Sequence, residues 1–153
     1  MALTSIAPIK QALVHYLRTN SALKAELVGG IHEGFAPSGT KYPYLSYQVH
    51  YAPMRYTWSD VTYEVGFDVF AWSQNSVEAD TLDQLLLTTL QDAELEVEGQ
   101  STLICRRVSS LSLPGSDDEG KKIYQVGGIY EVWTDQPLPA MRRSSFAADA
   151  VLA

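Results

Sequence analysis

Residues 61–93 read VTYEVGFDVFAWSQNSVEADTLDQLLLTTLQDA, and this stretch decides the fold. Val61, Tyr63, Val65, Phe67, Val69 and Ala71 share one parity, while Thr62, Glu64, Gly66 and Asp68 share the other. Such alternation predicts a strand with one buried face. Phe70 and Trp72 break the polar parity, so the strand is expected to run under cover near its end. Ser73-Gln74-Asn75-Ser76 stops it. Asn75 or Ser76 can cap a helix, and Glu78 stands close to capping-box spacing from Asn75. Ala79, Leu82, Leu85, Leu86, Leu90 and Ala93 then mark one face of a helix of about five turns. A strand feeding a helix whose apolar stripe folds back over it supplies the core.

On the amino-terminal side, Ser5 is a candidate cap for a helix that turns Ile6, Ile9, Leu13 and Leu17 inward. Ser21 restarts a short turn through Leu23 and Leu27, and Gly29-Gly30 ends it by taking a left-handed conformation at no Cβ cost. Ile31 to Phe35 is a short candidate strand, followed by the Ala36–Lys41 loop. Leu45, Tyr47, Val49 and Tyr51 alternate with Ser46, Gln48 and His50 as a half-buried strand. Ala52 to Asp60 reads as a long connection carrying Met54, Arg55, Tyr56 and Trp58. Arg, Tyr and Trp are enriched at interface hot spots, which makes Arg55, Tyr56 and Trp58 candidate partner contacts.

On the carboxyl-terminal side, Thr102 to Leu113 reads as a strand with Leu103, Cys105, Arg107, Ser109, Leu111 and Leu113 on one parity. Pro114 to Lys121 is a loop, and Ile123 to Trp133 returns as the last strand. The hairpin so formed ends in an acidic, flexible tip with Asp117, Asp118 and Glu119. From Thr134 the periodicity dissolves. The expected organisation is one domain over 1–134 and an extended segment over 135–153. The fold class is α+β: a two-layer sandwich, an antiparallel sheet of four to five strands with two main helices on one face. Ile104, Phe70, Trp72, Ile123 and Ile129 fall on the opposite sheet face, for which association with further copies is the economical cover.

Composition bounds the function. At 153 residues and 46% hydrophobic, the chain can bury a core without staples. No run approaches the ~18 apolar residues of a membrane helix, and Met1-Ala-Leu-Thr-Ser-Ile lacks the pattern of a signal peptide, so cytoplasmic synthesis and no membrane partner are expected. Cys105 is the single cysteine and is expected to be a buried, inert thiol. A net charge of −7 argues against a nucleic-acid grip through bulk electrostatics.

The motifs that could carry chemistry fail on physical grounds. Gly115 to Lys122 spells G-x-x-x-x-G-K, but Lys122 replaces the magnesium-binding hydroxyl, three carboxylates would face the phosphates, and a strand follows where a helix is needed. Ser21-x-x-Lys24 and Ser38-x-x-Lys41 lack companion motifs. His15, His32 and His50 are scattered, without ligand spacing among themselves or to Cys105. Asp68 is expected to pair with a neighbour such as Arg106 or Lys122. No catalytic residue, metal or cofactor is expected. The doublets Arg106-Arg107 and Arg142-Arg143 are candidates for intersubunit ion pairs, with Asp117 and Asp118 of a neighbour as partners.

Several features in order resemble one family: the first helix, Leu27-Val28-Gly29-Gly30-Ile31 followed by Ala36-Pro37, and Tyr42-Pro43-Tyr44-Leu45-Ser46-Tyr47. Val65-Gly66-Phe67-Asp68-Val69-Phe70-Ala71-Trp72, the helix with Ala79 and Leu82, and a hairpin ending in Tyr130-Glu131-Val132-Trp133 complete the set. Over roughly residues 5 to 134 the chain resembles the tail-completion proteins of long-tailed bacteriophages, the tail terminators or tail-to-head joining proteins. The resemblance implies a structural virion protein at the head-tail junction, forming a ring, typically of six subunits. Such a ring caps the tail tube, ends its polymerisation, meets the neck proteins and lets DNA pass its lumen without specific binding. A head-completion or minor tail protein of the same fold is one alternative. A small dimeric ligand-binding or hydrolytic domain is another, and a closed pocket with convergent polar groups would favour it.

Overall fold

The computed structural model describes residues 5–138. Three helices, α1 (Ala7–Thr19), α2 (Ser21–Glu26) and α3 (Ser76–Leu90), accompany six strands. The strands are β1 (Ile31–Glu33), β2 (Tyr44–Tyr51), β3 (Met54–Tyr56), β4 (Asp60–Ser73), β5 (Ser101–Ser116) and β6 (Lys122–Pro137). They make one sheet in the order β1-β2-β4-β6-β5, with β3 on β4. The class is α+β as expected, with a sheet slightly larger than expected. The extra strands are the short ones. β3 turns the Ala52–Asp60 connection into a continuation of β2, both pairing antiparallel with β4. β1 pairs with β2 in parallel, an exception to the antiparallel expectation.

β4 and α3 form as their pattern predicts. Val61, Val65, Phe67, Val69 and Ala71 are buried against Ala79, Leu82, Leu86 and Leu90 of α3 and Ile9, Leu13 and Leu17 of α1. Each fully buried Val, Leu, Ile or Phe among them contributes about 1.5–3 kcal/mol of transfer free energy. Asn75 caps α3, its side chain accepting from the N–H groups of Val77 (2.9 Å) and Glu78 (3.0 Å). Glu78 departs from the capping box and accepts from the Ser73 hydroxyl at 2.6 Å. The helix ends one turn early, because Asp92 takes φ 58° and Ala93 is buried beyond the helix end.

The caps of the first two helices differ from expectation. Ile6 occupies the α1 cap position with no side-chain bond, Ser5 Oγ instead accepting from the Ala7 N–H at 3.3 Å. Asn20, not Ser21, caps α2 by accepting from the Leu23 N–H at 3.0 Å. Gly30 ends that turn at φ 80°. Its neighbour Gly29 is required for space, since a Cβ there would stand 1.9 Å from the Lys41 carbonyl oxygen.

β4 and β6 pair over fourteen consecutive positions, from Asp60 opposite Pro137 to Ser73 opposite Tyr124. β6 therefore continues three residues past Thr134, where the periodicity fades. Two glycines let β6 close against both of its neighbours, β4 and β5. A Cβ on Gly127, at φ 152°, would meet the Val69 carbonyl oxygen at 2.0 Å. One on Gly128 would meet that of Ser109 at 1.8 Å.

β5 departs from the alternation read for it. Register shifts at Leu103 and Val108 mean that Cys105 and Arg107 oppose Val132 and Tyr130, whereas Ser109 opposes Ile129. Cys105 and Arg107 thus share the helix-side parity, and Ser109, Leu111 and Leu113 share the other. An extra residue in one strand reverses the facing of all that follow.

Candidate functional site

The β3–β4 and β5–β6 hairpins put their tips at opposite ends of the sheet. The β3–β4 tip lies beside Asp60 and Pro137, the β5–β6 tip beyond Ser73 and Tyr124. Thirteen strand steps of about 3.3 Å separate these levels, roughly 40 Å.

The first tip is apolar and aromatic. Met54, Tyr56 and Trp58 are exposed, Trp58 at 81%. Thr57 and Asp60 close the turn, the Thr57 N–H donating to the Asp60 carbonyl at 2.8 Å. Arg55 is committed inside the chain, its Nε 2.7 Å from Glu64 Oε1, although its side chain remains largely exposed. Glu64 is buried and needs that counter-charge.

The second tip is acidic but not loose. Asp117 Oδ1 accepts from the N–H groups of Glu119 (3.0 Å) and Lys121 (2.8 Å). The Asp117 N–H donates to the Lys121 carbonyl at 2.9 Å, and Gly120 adopts φ 79°. Lys121 stands 3.4 Å from Glu119. Asp117 is thus a turn-former, and Asp118, exposed, is the carboxylate left facing outward. The P-loop-like spelling over Gly115–Lys122 is a strand, a turn and a strand.

The basic doublet of β5 is divided between the two sheet faces. Arg107 is buried on the helix side, paired with both carboxylate oxygens of Asp83. Its Nε and Nη2 donate to the Tyr130 hydroxyl at 3.0 and 2.6 Å. This internal network removes Arg107 from the candidate intersubunit contacts. Sharing a parity with buried Cys105 was the readable signal. Arg106 is exposed and lies over the Trp133 ring, 5.8 Å from its centroid. Arg142 and Arg143 lie outside the described residues.

The sheet face turned away from the helices carries Phe70, Trp72, Ile104, Ile123 and Ile129, as expected. Mixed among them is a polar network. Asp68 Oδ2 is held by Gln48 Nε2 and His50 Nδ1, each at 3.1 Å, in place of the expected Arg106 or Lys122. The Tyr51 ring crosses over Gly66, where a Cβ would come within 2.3 Å of it, and its hydroxyl donates to Glu131 at 2.6 Å. Burial and that bond push the Tyr51 phenol up to about 12. The Trp133 indole N–H is buried without a hydrogen-bond acceptor among the described residues.

Between this face and the loop of residues 34–42 runs a half-open groove of about 490 Å³. Its floor includes Tyr44, Phe70 and Trp72, and Asp68, Asp117 and Asp118 border it. Tyr44 and Trp72 stack at 5.9 Å with 18° between planes. The Trp72 indole donates to the Ser46 hydroxyl at 2.8 Å. Phe35, in the covering loop, is 97% exposed. No local sequence signal marks this groove, because its walls come from segments some eighty residues apart.

Among the described residues no group of three His, Cys, Asp or Glu side chains could hold a metal ion. Cys105 is buried, and burial pushes its thiol up to about 12, which suppresses the reactive thiolate. No described helix is long and apolar enough to cross a membrane.

The described fold is a small α+β body with two hairpins of opposite character at its ends. Residues 11–135 match the family model of the tail completion protein gp17, and the chain belongs to that family. It is a structural, tail-completion protein of a bacteriophage-type virion. A chain from a solved structure, the virion of a native gene transfer agent particle, has the same fold at a TM-score of 0.60 and 10% identity. That match covers 86% of this chain and 99% of the other. No curated protein matches.

Proposed function

We propose that this protein forms a ring of six copies that caps the tail tube, ends its polymerisation and joins the tail to the neck of the head. It acts through contact, without catalysis or cofactor, at the head-tail junction. The observation that carries this reading is the two-ended subunit: an aromatic tip and an acidic tip roughly 40 Å apart on one rigid ladder. A protein that must hold two different neighbours along one axis needs two such ends. Family membership supports the tail as the setting. The acidic balance suits a lumen through which DNA slides, since a basic wall would hold phosphates by counterion release.

The test is tail morphology in particles made without this protein, viewed by electron microscopy. Overlong tubes without heads are expected. Tails of normal length left unattached would instead assign the protein to head completion and overturn the capping role. In a second arm, Trp58→Ala and Asp118→Lys are each expected to lower the yield of joined particles while leaving the subunit folded.

A further inference from the structure

We infer that the groove under the 34–42 loop is the receptor for the Arg142–Arg143 segment of a neighbouring copy, so that each subunit of the proposed ring straps the next. This inference rests on the ring reading and names the contact that closes it. The groove combines stacked aromatic rings with carboxylates, Tyr44 and Trp72 beside Asp68 and Asp118. That combination suits a guanidinium, which is planar, weakly hydrated, able to lie on an aromatic face and to bind a carboxylate through two N–H groups. The chain already uses this chemistry twice. Arg106 lies on Trp133, and Arg107 lies 4.9 Å from the Tyr130 centroid while gripping Asp83. The negative field at the groove is visible in Tyr42, whose phenol is raised by burial and then by Asp117, Asp118 and Glu119. Lys121 offsets Glu119, and Asp117 is spent on the turn. Asp118 and Asp68, the latter held through one oxygen by Gln48 and His50, remain to meet an incoming cation.

Reach decides which copy's segment can meet Asp118. Leu138 is fixed at the far end of the sheet, its N–H donating to the Ser59 carbonyl at 2.7 Å. Four or five residues beyond it extend at most about 14–18 Å. Asp118 lies beyond the Ser73 level, roughly 40 Å away. Arg142 and Arg143 therefore cannot bridge to Asp118 of their own copy.

The first experiment measures anisotropy of a labelled peptide of residues 138–150 added to full-length protein carrying Arg142→Glu and Arg143→Glu, whose own segment no longer competes. Saturable binding is expected, weakened at least about tenfold by Asp118→Lys, by Phe35→Ala, or by glutamate at both arginines of the peptide. Phe35 and Asp118 are exposed, so these variants keep the fold, checked by circular dichroism. Absent binding, or binding indifferent to these changes, overturns the groove assignment without touching the tail-length test of the ring. The second experiment mixes full-length Ser38→Cys with full-length Ser144→Cys under oxidation. A disulfide-linked heterodimer is expected. Closure within one chain of a double variant, with no cross-linking between chains, would overturn the neighbour assignment.

Discussion

The two faces of the sheet are made from the same strands and solve opposite problems. The helix side is mainly apolar, and its buried charge network, Arg107 with Asp83 and Tyr130, is satisfied within the chain. The other side mixes Phe70, Trp72 and Ile129 with Asp68, His50 and Glu131, leaves the Trp133 indole N–H without an acceptor among the described residues, and borders a groove. One face therefore ends its interactions inside the subunit, while the other leaves recognisable chemistry outside. The lesson is local: Arg106 and Arg107, adjacent in the chain, have unrelated roles because the strand sends them to different sides.

The severest test of that division strikes the seam. Gly127→Val sets atoms where the Val69 carbonyl oxygen already stands. It is expected to cost more than about 3 kcal/mol, or to prevent soluble folding, as read by expression and urea denaturation. A variant with near-normal stability would show that the sheet yields there. Next, Arg107→Ala should cost about 3–5 kcal/mol by stranding Asp83 and the Tyr130 hydroxyl. Arg106→Ala should cost less than about 1 kcal/mol. Equal losses in the two chemical melts would break the comparison.

Alkaline titration sharpens it further. Burial raises the Cys105 thiol from 9.0 and the Tyr130 phenol from 10.0, each to about 12. Each group holds its proton more tightly folded than unfolded. Their contribution is therefore complete below pH 9, and is lost as pH climbs from 9 or 10 through 12. The urea midpoint should fall across that window, and Cys105→Ala should remove part of the fall. A thiol reagent at pH 8 should label Cys105 only in the unfolded chain. Smallest is the paired change Tyr56→Ala and Trp58→Ala at the aromatic tip. It should move stability by no more than about 0.5 kcal/mol while lowering the yield of joined particles.

Much of the architecture was legible because it is local. The β4 alternation, the Asn75 cap and the α3 stripe lie within one continuous stretch, and a buried face there has only one period to obey. What was hidden depends on pairing at a distance. Met54–Tyr56 becomes a strand because β4 offers its edge, not because its residues alternate into a core. The shift at Val108 leaves no mark in composition, yet it decides that Leu111 and Leu113 face away from the helices. Arg55, Tyr56 and Trp58 were found as a tip because exposed aromatics are conspicuous. The groove escaped because it exists only once the 34–42 loop, β2, β4 and the second tip converge.

The fourteen-pair ladder between β4 and β6 has a mechanical consequence. A pull applied between the two tips runs parallel to both strands, so the cross-strand bonds share the strain together instead of parting one after another. Such a joint yields by sliding, which demands far more force than unzipping. A subunit of this build transmits tension from one end to the other with little stretch.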